Sequence, residues 1–351
     1  MTKGRVWTVL KIAATYAGTI MGAGFASGQE LNQFFAVYGK TGMAGLLLAG
    51  ILFSWLGAYI MNTCARLQVK NYTAFLYFVC GKRLGRFLDG AVACFLFSIL
   101  TVMLAGAGTL GRDMLEIPFM AGVIVFSLLL MGTTLRGLAG ITAANLIITP
   151  LLTAATLSVV CTSLDYHYEE GFYFDSPSPS FSLTAPHWLV SALLYVSYNL
   201  VMALTVLIPM GMTIPQAKLR LAGCFAGGIL LTFLASLVSL AVIIHYPHIL
   251  HYEIPMLYLA GAQHRLQEGM YLFILSAAMF TSALASLFGC AGKLQTVTGW
   301  PYFSCLLLPV AAALLFSQAG FSSLIALLFP LFGYITLIFT LRLTYLSLFS
   351  R

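Results

Sequence analysis

The sequence predicts an all-α integral membrane protein of about ten transmembrane helices, arranged as two inverted five-helix repeats. Composition is the first reason: hydrophobic residues make up 60% of the 351 residues and charged residues only 8%, against roughly 25% charged residues in a soluble domain. The second reason is the apolar runs, because runs of about 17–30 residues are long enough to cross a hydrocarbon core of about 30 Å. The third is a polar segment near the middle of the chain, which separates five apolar runs from five others.

Charges, glycines and prolines bound the apolar runs and define the predicted spans. The spans cover residues 7–36, 41–67, 84–113, 118–135, 138–163, 186–211, 219–245, 267–291, 302–317 and 321–346. The first repeat comprises residues 1–163 and the second residues 186–351, with residues 164–185 as an extracellular connecting loop. Because each repeat has an odd number of spans, the second enters the membrane from the opposite side and is inverted relative to the first.

The basic residues fix the orientation of the predicted helices. Placing both termini in the cytoplasm puts fourteen of the 17 Lys and Arg residues on that side. Only Lys40, Arg112 and Arg265 are then outside, which fits the positive-inside rule. The net charge of +7 comes from residues spread over short loops, so it reflects membrane topology and does not predict binding to nucleic acid.

The first span contains features that an ordinary membrane helix lacks. Within Ala14–Phe35, four glycines fall in eleven residues, and the carboxylate of Glu30 follows them. Glycine weakens a helix by roughly 1 kcal/mol relative to alanine, and an ionisable group at membrane depth is usually functional. The pattern predicts a broken helix near the midplane that binds a small polar solute. Glu30 and the backbone groups around the break are the predicted binding groups in this span. A close contact between two helices also explains small residues four apart, but this alternative leaves Glu30 without a role.

The sixth span is the counterpart of the first under the inverted repeat. It carries Ser197, Tyr198 and Asn199 in its middle, and an Asn at this depth is costly unless it is hydrogen-bonded. Irregular segments in corresponding positions of two repeats indicate a central site. We therefore predict a second broken helix here, with these three residues facing the solute. In the third span, the small residues around Gly108 predict close helix packing, and Gly108 is also a candidate for bordering the solute.

Oxygen atoms in the eighth span form a candidate cation site. Thr281 and Ser282, with the carbonyl of Ala278 one turn earlier, offer three oxygens, which are the ligands that a hard cation such as Na⁺ requires. The open alternative is that the hydroxyls bond back to the preceding turn of the helix.

The seven cysteines are scattered without a CxxC pair, and no catalytic motif is found. The protein is therefore not expected to be an enzyme.

Residues 18–30, GTIMGAGFASGQE, resemble the broken first helix of the amino acid–polyamine–organocation superfamily, whose members share the leucine-transporter fold. Together with YNL in the sixth span and MLAGAG in the third, they resemble more closely the YkvI-type permeases of bacteria. The likeness covers essentially the whole chain. It implies a protein of the bacterial inner membrane whose solute touches residues 22–24 of the first helix and Ser197 and Asn199 of the sixth.

The resemblance also implies a cation site. In sodium-coupled relatives, a cation lies between first-helix carbonyls and a Thr/Ser pair on the eighth helix. The residues at the matching positions are Gly18, Met21, Ala278, Thr281 and Ser282. Some proton-coupled relatives have a fifth-helix lysine here, whereas this chain has no lysine between Lys82 and Lys218, which favours Na⁺. Glu30 departs from the sodium-coupled pattern and could bind a proton or a substrate amine, so both Na⁺ and H⁺ stay open as the coupling ion.

The sequence therefore predicts a secondary active transporter: a cation-coupled symporter that works by alternating access. Its expected solute is an amino acid or a similar small zwitterion or amine. The expected partners are this solute and the lipid bilayer, with no cofactor beyond the coupling ion. The alternative is a nutrient sensor with a transporter fold, which binds its solute without moving it, as some spore-germination receptor subunits do.

Overall fold

The computed structural model describes residues 3–69, 71–170, 185–245, 249, 254–261, 265–319 and 321–349, and these residues are almost entirely helical. The α-helices are α1 (Lys3–Ile20), α2 (Ala23–Ser27), α3 (Gln29–Phe34), α4 (Lys40–Leu67), α5 (Tyr72–Leu115), α6 (Phe119–Thr134), α7 (Leu138–Glu170), α8 (Trp188–Thr213), α9 (Ala217–Ile244), α10 (Pro255–Gly261), α11 (Arg265–Thr298), α12 (Tyr302–Phe316) and α13 (Phe321–Phe349). Single 3₁₀ turns occupy Ala36–Tyr38 and Ser317–Ala319.

Most residues of each of the ten predicted spans are helical. Within the part of the chain that the structure describes, seven helical segments are long and apolar enough to cross a membrane. The helices α6 and α12 are apolar but shorter, with 16 and 15 residues, and the first span comprises α1, α2 and α3. The all-helical membrane class is confirmed, whereas the count of ten spans stays a prediction.

The connection between the two halves starts later than predicted. Because α7 continues to Glu170, residues 164–170 are helical, and residues 171–184 of the predicted loop lie outside the described residues. The positions of helix-breaking residues explain the difference. After Pro150, the next glycine or proline in the sequence is Gly171, so no residue in between favours an earlier end of the helix.

The helix α8 lies at the centre of the bundle. Nearly every residue from Ser191 to Gly211 is buried, and α8 packs against α4, α13 and α1. Peripheral helices instead turn large apolar side chains outward: Leu129, Ile229 and Phe273 are 60%, 65% and 67% exposed, which suits contact with lipid. Polar groups on α8 are shielded from water and lipid alike, so they need partners inside the protein.

The structure does not show the predicted break in the sixth span, because α8 runs without interruption over Trp188–Thr213. Its polar side chains bond within the helix instead. The Ser197 hydroxyl and the Asn199 amide each donate to the carbonyl four residues earlier, at 2.6 and 3.0 Å. Such back-bonding satisfies a buried side chain without opening the helix. The sequence of α8 also contains no glycine before Gly211.

The helix α5 bends at Gly81, where φ is +75°, and then packs along α11. Beyond the bend, Asp89 forms an ion pair with Lys293 of α11. The Thr73 hydroxyl, from the first turn of α5, donates to the same carboxylate at 2.8 Å. The pair therefore ties both segments of the bent helix to α11.

Candidate functional site

The first span is interrupted where α1 ends and α2 begins. Met21 and Gly22 are not helical, and the Gly22 N–H donates to the Ile20 carbonyl at 2.8 Å instead of continuing the α-helical pattern. The helix resumes at Ala23, and the Ala26 N–H donates to the Gly22 carbonyl at 2.9 Å. Because α1 ends inside the protein, the carbonyls of its last turn lack a following turn of helix and can serve as ligands.

A second turn brings Glu30 back over this interruption. Gly28, between α2 and α3, has φ +77°, a left-handed conformation that glycine adopts without strain. The Ser27 hydroxyl closes the turn by donating to the Gly24 carbonyl (3.0 Å) and accepting from the Gln29 N–H (3.2 Å). The Glu30 carboxylate consequently lies against Gly24, where a Cβ atom would be 2.6 Å from Oε2. The carboxylate fits here because Gly24 has no side chain.

Glu30 is only 3% exposed, and its partners come from α8. The Tyr198 hydroxyl donates to Oε1 of Glu30, and Asn199 lines the same cavity as the carboxylate. The Tyr198 ring stacks on Phe329 of α13, with centroids 5.2 Å apart, and contacts Phe34 of α3 at 5.6 Å. Among the described residues, no basic side chain forms an ion pair with Glu30. The site thus holds one carboxylate in an aromatic environment.

These groups line a cavity of about 10 Å³, about the space that one water molecule requires. Its lining residues are Ile20, Gly22, Gly24, Glu30, Ile99, Met103, Tyr198, Asn199, Met202, Ser282 and Phe329. Five of the residues predicted for the solute site meet here, together with one residue predicted for the cation site. The apolar lining was not predicted, because isoleucine, methionine and phenylalanine are common throughout an apolar span and give no specific signal.

Three residues predicted for the solute site are not among the described residues that line this cavity. Ser197 is buried but is not among the residues that line the cavity. Gly108 faces α6, where an added Cβ would be 2.6 Å from atoms of Phe119 and Val123. In the structure Gly108 has the packing role, and its contact with the solute stays a prediction. Ala23 is the first residue of α2, and its side chain lies outside the described residues.

The hydroxyls predicted for the cation site have two different environments. Thr281 donates to the Ala278 carbonyl at 2.9 Å, which is the back-bonded alternative. Ser282 instead faces the first span. Its hydroxyl lies 3.4 Å from the Thr19 carbonyl, and a Cβ added at Gly22 would lie 2.5 Å from the Ser282 hydroxyl oxygen. Oxygens of the eighth span and of the end of α1 therefore lie side by side.

Of the two predicted carbonyl ligands, Gly18 lies in the last turn of α1 and Met21 directly follows that helix. Gly18 also faces α7, where a Cβ would be 2.0 Å from Asn145 Oδ1 and 2.4 Å from Thr149 Oγ1. Asn145 Oδ1 and the Thr19 hydroxyl have no hydrogen-bond partner within the described part of the chain. That part also contains no group of three or more His, Cys, Asp or Glu residues that could hold a metal ion. The atoms available here as ligands for a cation are carbonyl, hydroxyl and amide oxygens, which suit Na⁺.

Comparison with known proteins identifies the family. No protein-family model matches the chain. The uncharacterized membrane protein YkvI of Bacillus subtilis (strain 168) is 32% identical over 337 residues, which cover 94% of this chain and 93% of that protein. The chain belongs to the YkvI family. A second protein of the same organism, YyaD, is 26% identical to this YkvI-family chain over 340 residues, covering 95% of the chain and 94% of YyaD.

Solved structures identify the fold of this YkvI-family protein. A Na⁺-coupled sialic acid symporter in a substrate-bound outward-open state matches with a TM-score of 0.68 and 12% identity, covering 97% of this chain and 79% of the symporter. MhsT in complex with L-phenylalanine matches with a TM-score of 0.65 and 18% identity, covering 93% and 87% of the two chains. Mhp1, a nucleobase-cation-symport-1 family transporter, matches with a TM-score of 0.60 and 14% identity, covering 88% of this chain and 70% of Mhp1. The leucine-transporter fold is thereby confirmed, and the structures that share it are transporters rather than enzymes.

Proposed function

We propose that this YkvI-family protein is a secondary active transporter that works by alternating access. The leucine-transporter fold supports this proposal, because the solved structures that match are transporters. The interrupted first span supports it further, since non-helical backbone at membrane depth occurs where it is buried in protein or lines a cavity. In this proposal, ten spans form two inverted five-helix repeats in the bacterial inner membrane, with both termini in the cytoplasm.

Glu30 is the observation that carries the proposal, and it favours a solute with an amino group. A charged carboxylate that is 3% exposed is costly to bury unless a cation compensates it. A solute ammonium group supplies that cation, and the Asn199 amide provides a further polar contact. We infer that the solute is an amino acid or a similar small zwitterion or amine. A proton on Glu30 is the competing way to compensate the same charge.

Binding of such a solute requires the site to rearrange. The cavity of about 10 Å³ has room for about one water molecule, so an amino acid enters only when side chains move. Tyr198 is the group best placed to move, because its hydroxyl occupies Glu30 Oε1 and its ring forms part of the cavity wall. In our proposal the described conformation is an occluded state, and release of Glu30 by Tyr198 opens the site.

Counterflow in proteoliposomes tests whether the protein transports. A thermal-shift screen of amino acids and amines, with sodium or potassium, first identifies a solute that stabilises the purified protein. Vesicles loaded with an excess of this unlabelled solute are then expected to accumulate the labelled solute transiently and saturably. A solute that stabilises the protein but gives no counterflow would identify a sensor, and flux that does not saturate would identify a channel. Either result would contradict the transporter proposal.

We propose that Na⁺ is the coupling ion and that it binds between the end of α1 and α11. The double variant Thr281→Ala/Ser282→Ala tests this proposal. Removing both hydroxyls takes two oxygens from the proposed site, so the Na⁺ concentration for half-maximal counterflow is expected to rise at least about tenfold. Ser276→Ala is the matched control, since this hydroxyl of α11 bonds within its own helix at 3.0 Å. Unchanged Na⁺ dependence in the double variant, or uptake driven equally well by a proton gradient without Na⁺, would contradict sodium coupling.

A further inference from the structure

A second and larger cavity lies beside α8 and α11, two of the helices that border the central site. Its volume is about 110 Å³, against about 10 Å³ for the central cavity. On α8 it is lined by Thr205, six residues after Asn199, a separation of about 9 Å along a helix axis. On α11 it is lined by Gly289 and Lys293, which follow Ser282 in the same direction. In the proposed orientation this cavity lies on the cytoplasmic side of the central site.

Lys293 brings an ammonium group with donor capacity to spare to this cavity. Its ammonium group pairs with Asp89 and lies 3.4 Å from the Thr73 hydroxyl. An ammonium group has three donors, and these are the two contacts that the described residues make with it. The carboxylate of Asp89 is itself satisfied, because Lys293 binds one oxygen and the Thr73 hydroxyl donates to the other at 2.8 Å. The charges of Asp89 and Lys293 therefore compensate each other, so a bound anion would be held by the remaining donor of the ammonium group and not by a net positive charge.

The start of α5 adds further donors to the same cavity. Asn71, Tyr72 and Thr73 all line it, and the first N–H groups of a helix have no partner within the helix and favour anions. The Asn71 side chain caps only the Ala74 N–H, at 2.8 Å. Tyr72 is 6% exposed, and its hydroxyl has no hydrogen-bond partner among the described residues. A buried, unsatisfied hydroxyl is costly, so it is an independent sign that this cavity accommodates a polar ligand.

We propose that this cavity is a second binding site, which holds the carboxylate of a small organic acid or amino acid. The carboxylate lies between the Lys293 ammonium, the first turn of α5 and the Tyr72 hydroxyl. The site would hold the solute by its carboxylate after the ammonium group has left Glu30, on the way to the cytoplasm. This last step rests on the proposed transport function, whereas binding of a carboxylate in the cavity does not.

Saturation-transfer NMR on the purified full-length protein tests the site, with propionate as the probe. Propionate carries a carboxylate but no amino group, so it is expected to bind the parent and Glu30→Gln equally well. Lys293→Gln removes the charged donor and is expected to weaken binding at least about tenfold, since hydrogen bonds to charged groups are the strong ones. Lys82→Gln, at an exposed lysine of the same helix α5, is the matched control and is expected to bind like the parent.

Asp89→Asn distinguishes a ligand site from a purely structural ion pair. It removes the carboxylate that competes for Lys293, so propionate is expected to bind more tightly than to the parent. If the pair only holds α5 and α11 together, both Asp89→Asn and Lys293→Gln lose stability and neither gains affinity, which would overturn the proposal. The proposal would also be overturned by absent propionate binding in the parent, by parental binding in Lys293→Gln, or by equally effective competition from chloride. Intact propionate binding without counterflow would contradict the transport function alone.

Discussion

Glu30→Gln is expected to abolish solute-dependent stabilisation and counterflow while leaving the protein folded. The substitution removes the negative charge but keeps the size of the side chain, and its remaining carbonyl oxygen can still accept from the Tyr198 hydroxyl. Hydrogen bonds to charged groups contribute about 1.5–3 kcal/mol, and each 1.4 kcal/mol corresponds to about a factor of ten in affinity. The measurements are thermal unfolding over a range of solute concentrations and the initial rate of counterflow.

Two further variants test the location of the site. Asn199→Ala removes the second polar group at the carboxylate and is expected to reduce solute binding without unfolding the protein. Glu116→Gln makes the same chemical change at an exposed residue at the end of α5, so it is expected to bind and transport like the parent. If Glu30→Gln and Asn199→Ala both bind the solute with parental affinity, the solute site lies elsewhere in the protein.

The grouping of residues at the centre of the candidate site could be predicted because its signals are local. Gly22, Gly24 and Glu30 lie within nine residues of an otherwise apolar span, and glycines beside a carboxylate at membrane depth are unusual for a lipid-facing helix. The structure adds the reason why they meet. The left-handed turn at Gly28 folds α3 back, so that Glu30 lies over Gly24 instead of about one and two-thirds helical turns away from it.

Other features depend on choices that the sequence leaves open. A polar residue in an apolar helix can open the helix or bond back to the preceding turn, and Ser197 and Asn199 do the latter. A small residue such as Gly108 can face a solute or another helix, and here it faces α6. Both outcomes depend on which neighbouring element comes close, which a pattern within one span does not encode.

Contacts between distant parts of the chain were the least predictable. Asp89 has a basic residue, Arg86, three positions earlier, and this spacing favours a local ion pair on a helix. The structure instead pairs Asp89 with Lys293 of α11, 204 residues away. Phe329, whose ring stacks on Tyr198, is likewise an ordinary apolar residue of the last helix. Only the packing of α5, α11 and α13 around α8 brings these residues together with their partners.

Gly42→Ala is expected to have the largest effect on stability. A Cβ at Gly42 would lie 1.9 Å from the carbonyl oxygen of Phe35 and 2.7 Å from its carbonyl carbon. Both are backbone atoms of the turn between α3 and α4, so no rotation of a side chain can relieve the overlap. Overpacking typically costs about 1–3 kcal/mol and occasionally more, and an obstructing backbone places this variant at the upper end. The measurement is the midpoint of thermal unfolding of the purified protein.

Gly132→Ala provides the matched control for this prediction. Gly132 lies in α6 with no atom within 4 Å of the added Cβ, and alanine favours a helix interior by about 0.5–1 kcal/mol over glycine. This variant is therefore expected to be as stable as the parent or slightly more stable. Gly42→Ala should also weaken solute binding, because the displaced turn follows directly on α3, which carries Glu30. Equal unfolding midpoints for the two variants would show that the start of α4 does not pack on the Phe35 carbonyl, and the position of Glu30 would then need another cause.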